Sequence, residues 1–184
     1  MRYVCTVENG RLIPATMRRI LVPVDFSDAS SAALEYAMDL AQSHHASVDV
    51  LHVWDLPPYP AMGKFREQGA PRSETESFST HVHDLATARL DEMIQDARRE
   101  GREGVDVVGV LESGDPIVVI PRLAAQFDMV VIGAHDDESA KGLLFGNVAD
   151  HVAGDISCPV VTVRREEEDA ETRRDARVSS ASRV

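Results

Sequence analysis

Residues 18–27 read RRILVPVDFS. An unbroken apolar centre of leucine and β-branched side chains, closed by a polar stop, marks a strand buried on both faces. Such strands belong to parallel sheets covered by helices. The next stretch, DASSAALEYAMDLAQSHH, opens with Asp28, Ser30 and Ser31, which suit helix N-capping. Ala33, Leu34, Ala37, Met38, Leu40 and Ala41 then recur at helical spacing and give one apolar face. A second strand follows at 47–55, SVDVLHVWD. Strand, helix and strand within about 35 residues form a βαβ unit.

The alternation continues. Residues 55–79 interrupt it with four prolines and two glycines, a loop longer than the ~12–15 residues that usually need a reason. Residues 80–101 carry a helical face of Val82, Leu85, Ala86, Leu90, Met93, Ile94 and Ala97, with Gly101 as its stop. VDVVGVL (105–111) reads as the third strand. The helix in 112–127 has Pro116 in its first turn and an expected kink or interruption at Pro121. DMVVIG (128–133) reads as the fourth strand, 143–157 as the last helix and PVVTV (159–163) as the fifth strand. The expected fold is α/β, a doubly wound, Rossmann-like sheet of five parallel strands with helices on both faces. Ligands of such sheets bind beyond the carboxyl ends of the strands, where the strand order reverses. Asp25, Val53, Trp54 and Gly133 end strands there.

Residues 17–163 are the predicted domain. Residues 1–16 show no partner for themselves, and Met17, directly before the first strand, is an alternative first residue. The charged tail 164–184 lacks an apolar face and reads as disordered. Net charge is −12. The tail holds six Arg and six acids and is neutral, and 1–16 carry +1, so the body carries −13. A body this acidic repels nucleic acid and anionic membranes, which reward clustered Lys and Arg. No run approaches a membrane span, and the N-terminus has no secretory h-region. Cys5 and Cys158 have no metal-like spacing and fit a reducing cytoplasm.

Four blocks, ILVPVDFSDASSAALEYAMDLA, VLHV, SGDPIVVIPRLAAQFDMVVIGAH and LLFGNVADHVAGDISCPVVTV, occur in the order of the universal stress protein family, which residues 18–163 resemble. The resemblance implies strand order 3-2-1-4-5 and a homodimer made through the last strand, Pro159 to Val163. It also implies an ATP or AMP site. Read onto this chain, that site takes Pro23, Val24 and Asp25 after strand one, Val53 from strand two, and Gly133, His135, Asp136, Gly146, Asn147 and Val148 around the loop after strand four. The family's loop resembles G-x-x-G, nine residues, then G-S/T. Gly133 and Gly146 match it, whereas Asp136 replaces the second glycine and Asn147 the Ser/Thr. His135 matches a histidine often seen in that loop, and reads as loop structure rather than as a base.

Asp136, Asp137 and Glu138 thus sit in a row where phosphates would lie. Two unit charges ~6 Å apart at an effective dielectric of ~20 repel by roughly 3 kcal/mol. Lys141 offsets one charge. Three readings follow. The loop has given up phosphate and the acids are a solvated turn; or the acids hold Mg²⁺ that bridges to phosphates; or they point away and a nucleotide binds through Asp25, Gly133 and Gly146. The first is preferred. Asp25 reads equally as a ligand contact and as an N-cap. His52 reads as a sheet-facing core residue. His81 and His83, at i and i+2, fall on different helix faces and make a poor metal pair. Glu35 and Asp39 read as a solvated face. No nucleophile motif and no Walker or G-x-G-x-x-G loop occurs, so neither a catalytic nor a metal residue is assigned. A two-component receiver domain would need an aspartate at the end of strand three, where VVGVLESG offers only Glu112. The expected protein is a cytoplasmic, homodimeric stress-response module with a weakened nucleotide site and protein partners. An ATP/AMP sensor with at most slow hydrolysis is the alternative.

Overall fold

The computed structural model describes residues 3–54, 72–99, 104–134 and 154–165. Its elements run β1 (Tyr3–Val7), β2 (Arg19–Pro23), α1 (Asp28–His44), β3 (Ser47–Trp54), α2 (Arg72–Arg99), β4 (Val107–Ser113), α3 (Pro116–Ala124), β5 (Met129–Gly133) and β6 (Val160–Arg165). The sheet has six strands in the order β1-β6-β5-β2-β3-β4. Five were expected. Those five run parallel to one another, and the order differs from 3-2-1-4-5 by the added β1 at the β6 edge. β1 is antiparallel to β6, with Tyr3 opposite Arg165, Cys5 opposite Val163 and Val7 opposite Val161. The expectation that residues 1–16 stand without a partner is therefore corrected.

The sheet divides the core into two layers. On one face, Ile20, Val22, Val48, Val50, Met129 and Val131 pack against Ala33, Ala37, Met38 and Ala41 of α1 and Leu90, Ile94 and Ala97 of α2. On the other, Leu21, Leu51, Val53, Val130 and Ile132 pack against Val119, Ile120 and Ala124 of α3. Both faces of the central strands are apolar for this reason, as a continuous rather than alternating pattern requires. α2 begins at Arg72, eight residues before the periodicity places it, so the end of the expected 55–79 loop is helical. Leu85, expected on its apolar face, is 52% exposed. α3 runs through Pro121 to Ala124 rather than breaking there. Asp115 caps it, its carboxylate accepting from the Ile117 N–H at 2.9 Å, and Pro116 fills the first turn. Most of the expected 143–157 helix, residues 55–71 and the tail from 166 lie outside the described residues.

Candidate functional site

β2 lies between β5 and β3, so the chain leaves β2 to one side and reaches β5 on the other. The carboxyl ends of these strands flank the point where strand order reverses, the place where open α/β sheets leave a crevice. Pro23, Val24, Asp25, Val53 and Gly133 are all brought there. They are not equivalent. Val24 is buried in the α1/α2 layer and Val53 in the α3 layer. The Val24 N–H donates to Leu51 O at 2.8 Å, continuing the ladder one residue past β2. Those two valines are core residues on opposite faces of the sheet; Asp25 is the polar group among the five.

Asp25 serves two purposes with its two oxygens. Oδ1 accepts from the N–H and the hydroxyl of Ser27. Ser27, not Asp25, is the N-cap of α1, and its Oγ accepts from the Ser30 N–H. Asp25 thus braces the cap. Oδ2 is buried, and among the described residues nothing donates to it. A buried carboxylate oxygen without a donor is costly, and native proteins rarely leave one. It is the acceptor that a ligand hydroxyl or amino group would satisfy.

Gly133 is needed for space rather than for dihedral freedom. A Cβ there would stand 2.4 Å from the backbone carbon and oxygen of Ala29 and 2.7 Å from Ser30 N. Its absence lets the first turn of α1 lie directly on the end of β5, the close helix–strand approach seen at nucleotide-binding turns. The helix N-terminus, with its outward N–H groups, is thereby held beside Asp25 and the crevice.

Two features escaped the sequence reading. Phe26 has φ of 62°, a left-handed conformation unusual for an aromatic residue. Its ring centroid lies 4.3 Å from that of His52, and the Arg89 guanidinium sits 5.2 Å from the Phe26 ring. His52 Nδ1 lies 2.8 Å from the Val24 carbonyl, which can only accept, so that nitrogen carries the hydrogen. Burial pushes the imidazole below its ordinary value, against the pull of the Val24 carbonyl and Asp25, and Arg89 adds to the depression. His52 is a neutral support for the turn after β2, in line with its expected core role. A cavity of about 230 Å³ opens beyond Phe26, lined by Ser31, Arg89, Glu92, Met93 and Asp96 as well. Among the described residues, none of the predicted site residues lines it. The only sequence signal for Phe26 was a bulky residue between Asp25 and the cap.

His83 packs edge-on to Trp54 at 5.9 Å and stands 3.7 Å from Asp84. Among the described residues no group of three or more His, Cys, Asp or Glu could hold a metal ion. His135, Asp136, Gly146, Asn147 and Val148, and with them Asp137 and Glu138, lie outside the described residues.

Strand order and layers together define a doubly wound α/β module. Residues 16–164 match the profile of the universal stress protein family, and the chain belongs to that family. The stress response protein NhaX of Bacillus subtilis is 30% identical, with 79% of this chain and 97% of the relative covered. The solved structure of MJ0577, a universal stress protein of Methanocaldococcus jannaschii, superposes with a TM-score of 0.62 at 20% identity, over 84% of this chain and 100% of that one. A universal stress protein from Archaeoglobus fulgidus, solved in complex with dAMP, gives 0.53 at 20% identity, over 83% and 99%. Among the described residues no helix is long and apolar enough to cross a membrane.

Proposed function

We propose that this chain is a cytoplasmic stress-response module that takes an adenine mononucleotide weakly in the β2–β5 crevice and ATP more weakly still. The observation that carries the reading is Asp25 Oδ2, buried at the reversal point of the strand order and without a donor among the described residues. The dAMP bound by the Archaeoglobus fulgidus relative supports the ligand class. The three consecutive acids, Asp136 to Glu138, support the ranking, because each added phosphate charge meets them. Ligand occupancy, rather than turnover, is the signal passed to protein partners. The homodimer through Pro159–Val163 belongs to this reading only for a form in which β1 has left that edge.

Isothermal titration of the full chain with AMP and with ATP, each with and without Mg²⁺, tests it. The expectation is AMP binding weaker than ~10 μM and ATP weaker again, with Asp25→Asn lowering AMP affinity at least tenfold, about 1.4 kcal/mol. In that variant an amide N–H would meet the ligand's donor, or Ser27's. ATP tighter than AMP without Mg²⁺ contradicts the reading and favours the ATP sensor. ATP binding only with Mg²⁺ places a cation at the acids.

A further inference from the structure

Between β2 and α1 the chain has little length in which to turn. Residue 24 is still held by the sheet: its N–H donates to Leu51 O at 2.8 Å, and His52 Nδ1 donates to its carbonyl at 2.8 Å. Residue 27 is already held by the helix: its Oγ accepts from the Ser30 N–H, and its carbonyl accepts from the Ser31 N–H at 3.0 Å. The Ala29 backbone lies directly over Gly133, so α1 has no slack to give. Asp25 and Phe26 therefore make the whole reversal. Ser27 is extended, with φ of −82° and ψ of 165°, and the strained step falls on Phe26, with φ of 62°.

A left-handed backbone is unfavourable for a residue with a Cβ, and Gly, Asn and Asp bear it best. A bulky residue stays there only where its surroundings over-determine it. Those of Phe26 do. Its ring lies 4.3 Å from the His52 ring and 5.2 Å from the Arg89 guanidinium, and it packs against the α1/α2 layer of the core. A cavity of about 230 Å³ borders the ring, so crowding alone does not set its place; the contacts with β3 and α2 do. What the strain secures is the carboxylate before it. Asp25 Oδ1 accepts from the Ser27 N–H at 3.1 Å and from the Ser27 hydroxyl, across the turn that Phe26 makes. With Oδ1 anchored, the direction of Oδ2 is fixed. It is buried, with no donor among the described residues.

We propose that Phe26 is a positioning residue for the ligand site: its left-handed backbone, pinned by the His52 ring and Arg89, sets the direction in which Asp25 Oδ2 faces. Phe26 acts through Asp25 and touches no ligand itself. The proposal rests on the reading of Asp25 as the ligand's acceptor.

Variants of the full chain separate backbone placement from packing. F26Y keeps the ring. F26N loses the ring but tolerates the left-handed conformation. F26V keeps an apolar side chain, but a β-branched one that resists that conformation. In isothermal titration with AMP, F26Y should bind as wild type does, F26V about tenfold more weakly, and F26N between them. In a D25N background F26V should cost nothing further, since the group it positions is already gone. The chain without ligand gives a second readout. Exchange of the Ser27 amide hydrogen, followed by NMR, should be faster in F26V than in wild type, with F26N between. Urea midpoints establish that each variant is folded. If F26V does not fold, F26N alone decides: it should weaken AMP binding with Asp25 present, add nothing in the D25N background, and speed Ser27 exchange. Wild-type AMP affinity in F26V, binding weaker in F26N than in F26V, equal losses with and without Asp25, or unchanged Ser27 exchange would overturn the proposal. Absence of AMP binding by wild type contradicts the proposed function instead, and Ser27 exchange then decides on Phe26 by itself.

Discussion

Asp25 and Ser27 share one hydrogen-bonded turn, and His52 holds the carbonyl that precedes it. This turn is where single residues have the most leverage. His52 is kept neutral by burial. Its folded-state value lies below the ordinary 6.5, so below that pH the unfolded chain binds a proton that the folded chain resists. The stabilisation from His52 is therefore complete above about pH 6.5 and is lost as pH falls toward the lower, folded-state value. Urea midpoints measured from about pH 7.5 down to about pH 5.5 should fall more steeply for wild type than for His52→Asn. Parallel slopes would remove His52 from the account. The sequence favoured a core or sheet-facing His52 from its place inside a strand. It did not show the partner, because Val24 lies just past a neighbouring strand and backbone carbonyls leave no mark in a sequence.

At the scale of elements, the contact that shapes the crevice is α1 on β5. It depends on Gly133, whose missing Cβ the Ala29 backbone would otherwise meet at 2.4 Å. Backbone cannot yield as a flexible side chain does, so Gly133→Ala should destabilise near the upper end of the usual 1–3 kcal/mol for overpacking, about 3 kcal/mol. Urea unfolding with an unchanged m-value reads it; a midpoint equal to wild type would mean that α1 does not sit so close. The sequence singled out Gly133 through a phosphate-loop pattern, and the structure gives a reason for a glycine there that does not involve a ligand. The physical reason is packing, which a one-dimensional pattern cannot distinguish from loop chemistry. The five parallel strands were legible because burial on both faces makes them continuous apolar runs. β1 was not, although YVCTV is rich in β-formers and is followed by Asn9-Gly10, a turn signal with φ of 62° at the glycine. Its partner is more than 150 residues away in the chain, and one exposed face deprives it of the buried-strand pattern. The early start of α2 was hidden by the polar composition of residues 72–79.

For the whole molecule, charge and topology set the terms. Residues 17–163 carry −13 while the tail is neutral, so the general field already disfavours polyanionic ligands. The strand ends bring together a buried carboxylate oxygen and a helix N-terminus, to which the proposed function assigns the base and sugar end of a nucleotide. How the phosphate end is treated was legible only as sequence, in Asp136, Asp137 and Glu138. The measurement that tests this most directly is the ATP affinity of wild type against the Asp136→Gly/Asp137→Asn/Glu138→Gln chain, by isothermal titration without Mg²⁺. The account predicts a gain of at least tenfold in the variant, about 1.4 kcal/mol, that shrinks as salt is raised. An unchanged affinity would mean that the acids do not face the phosphates, and that charge is not what weakens the site.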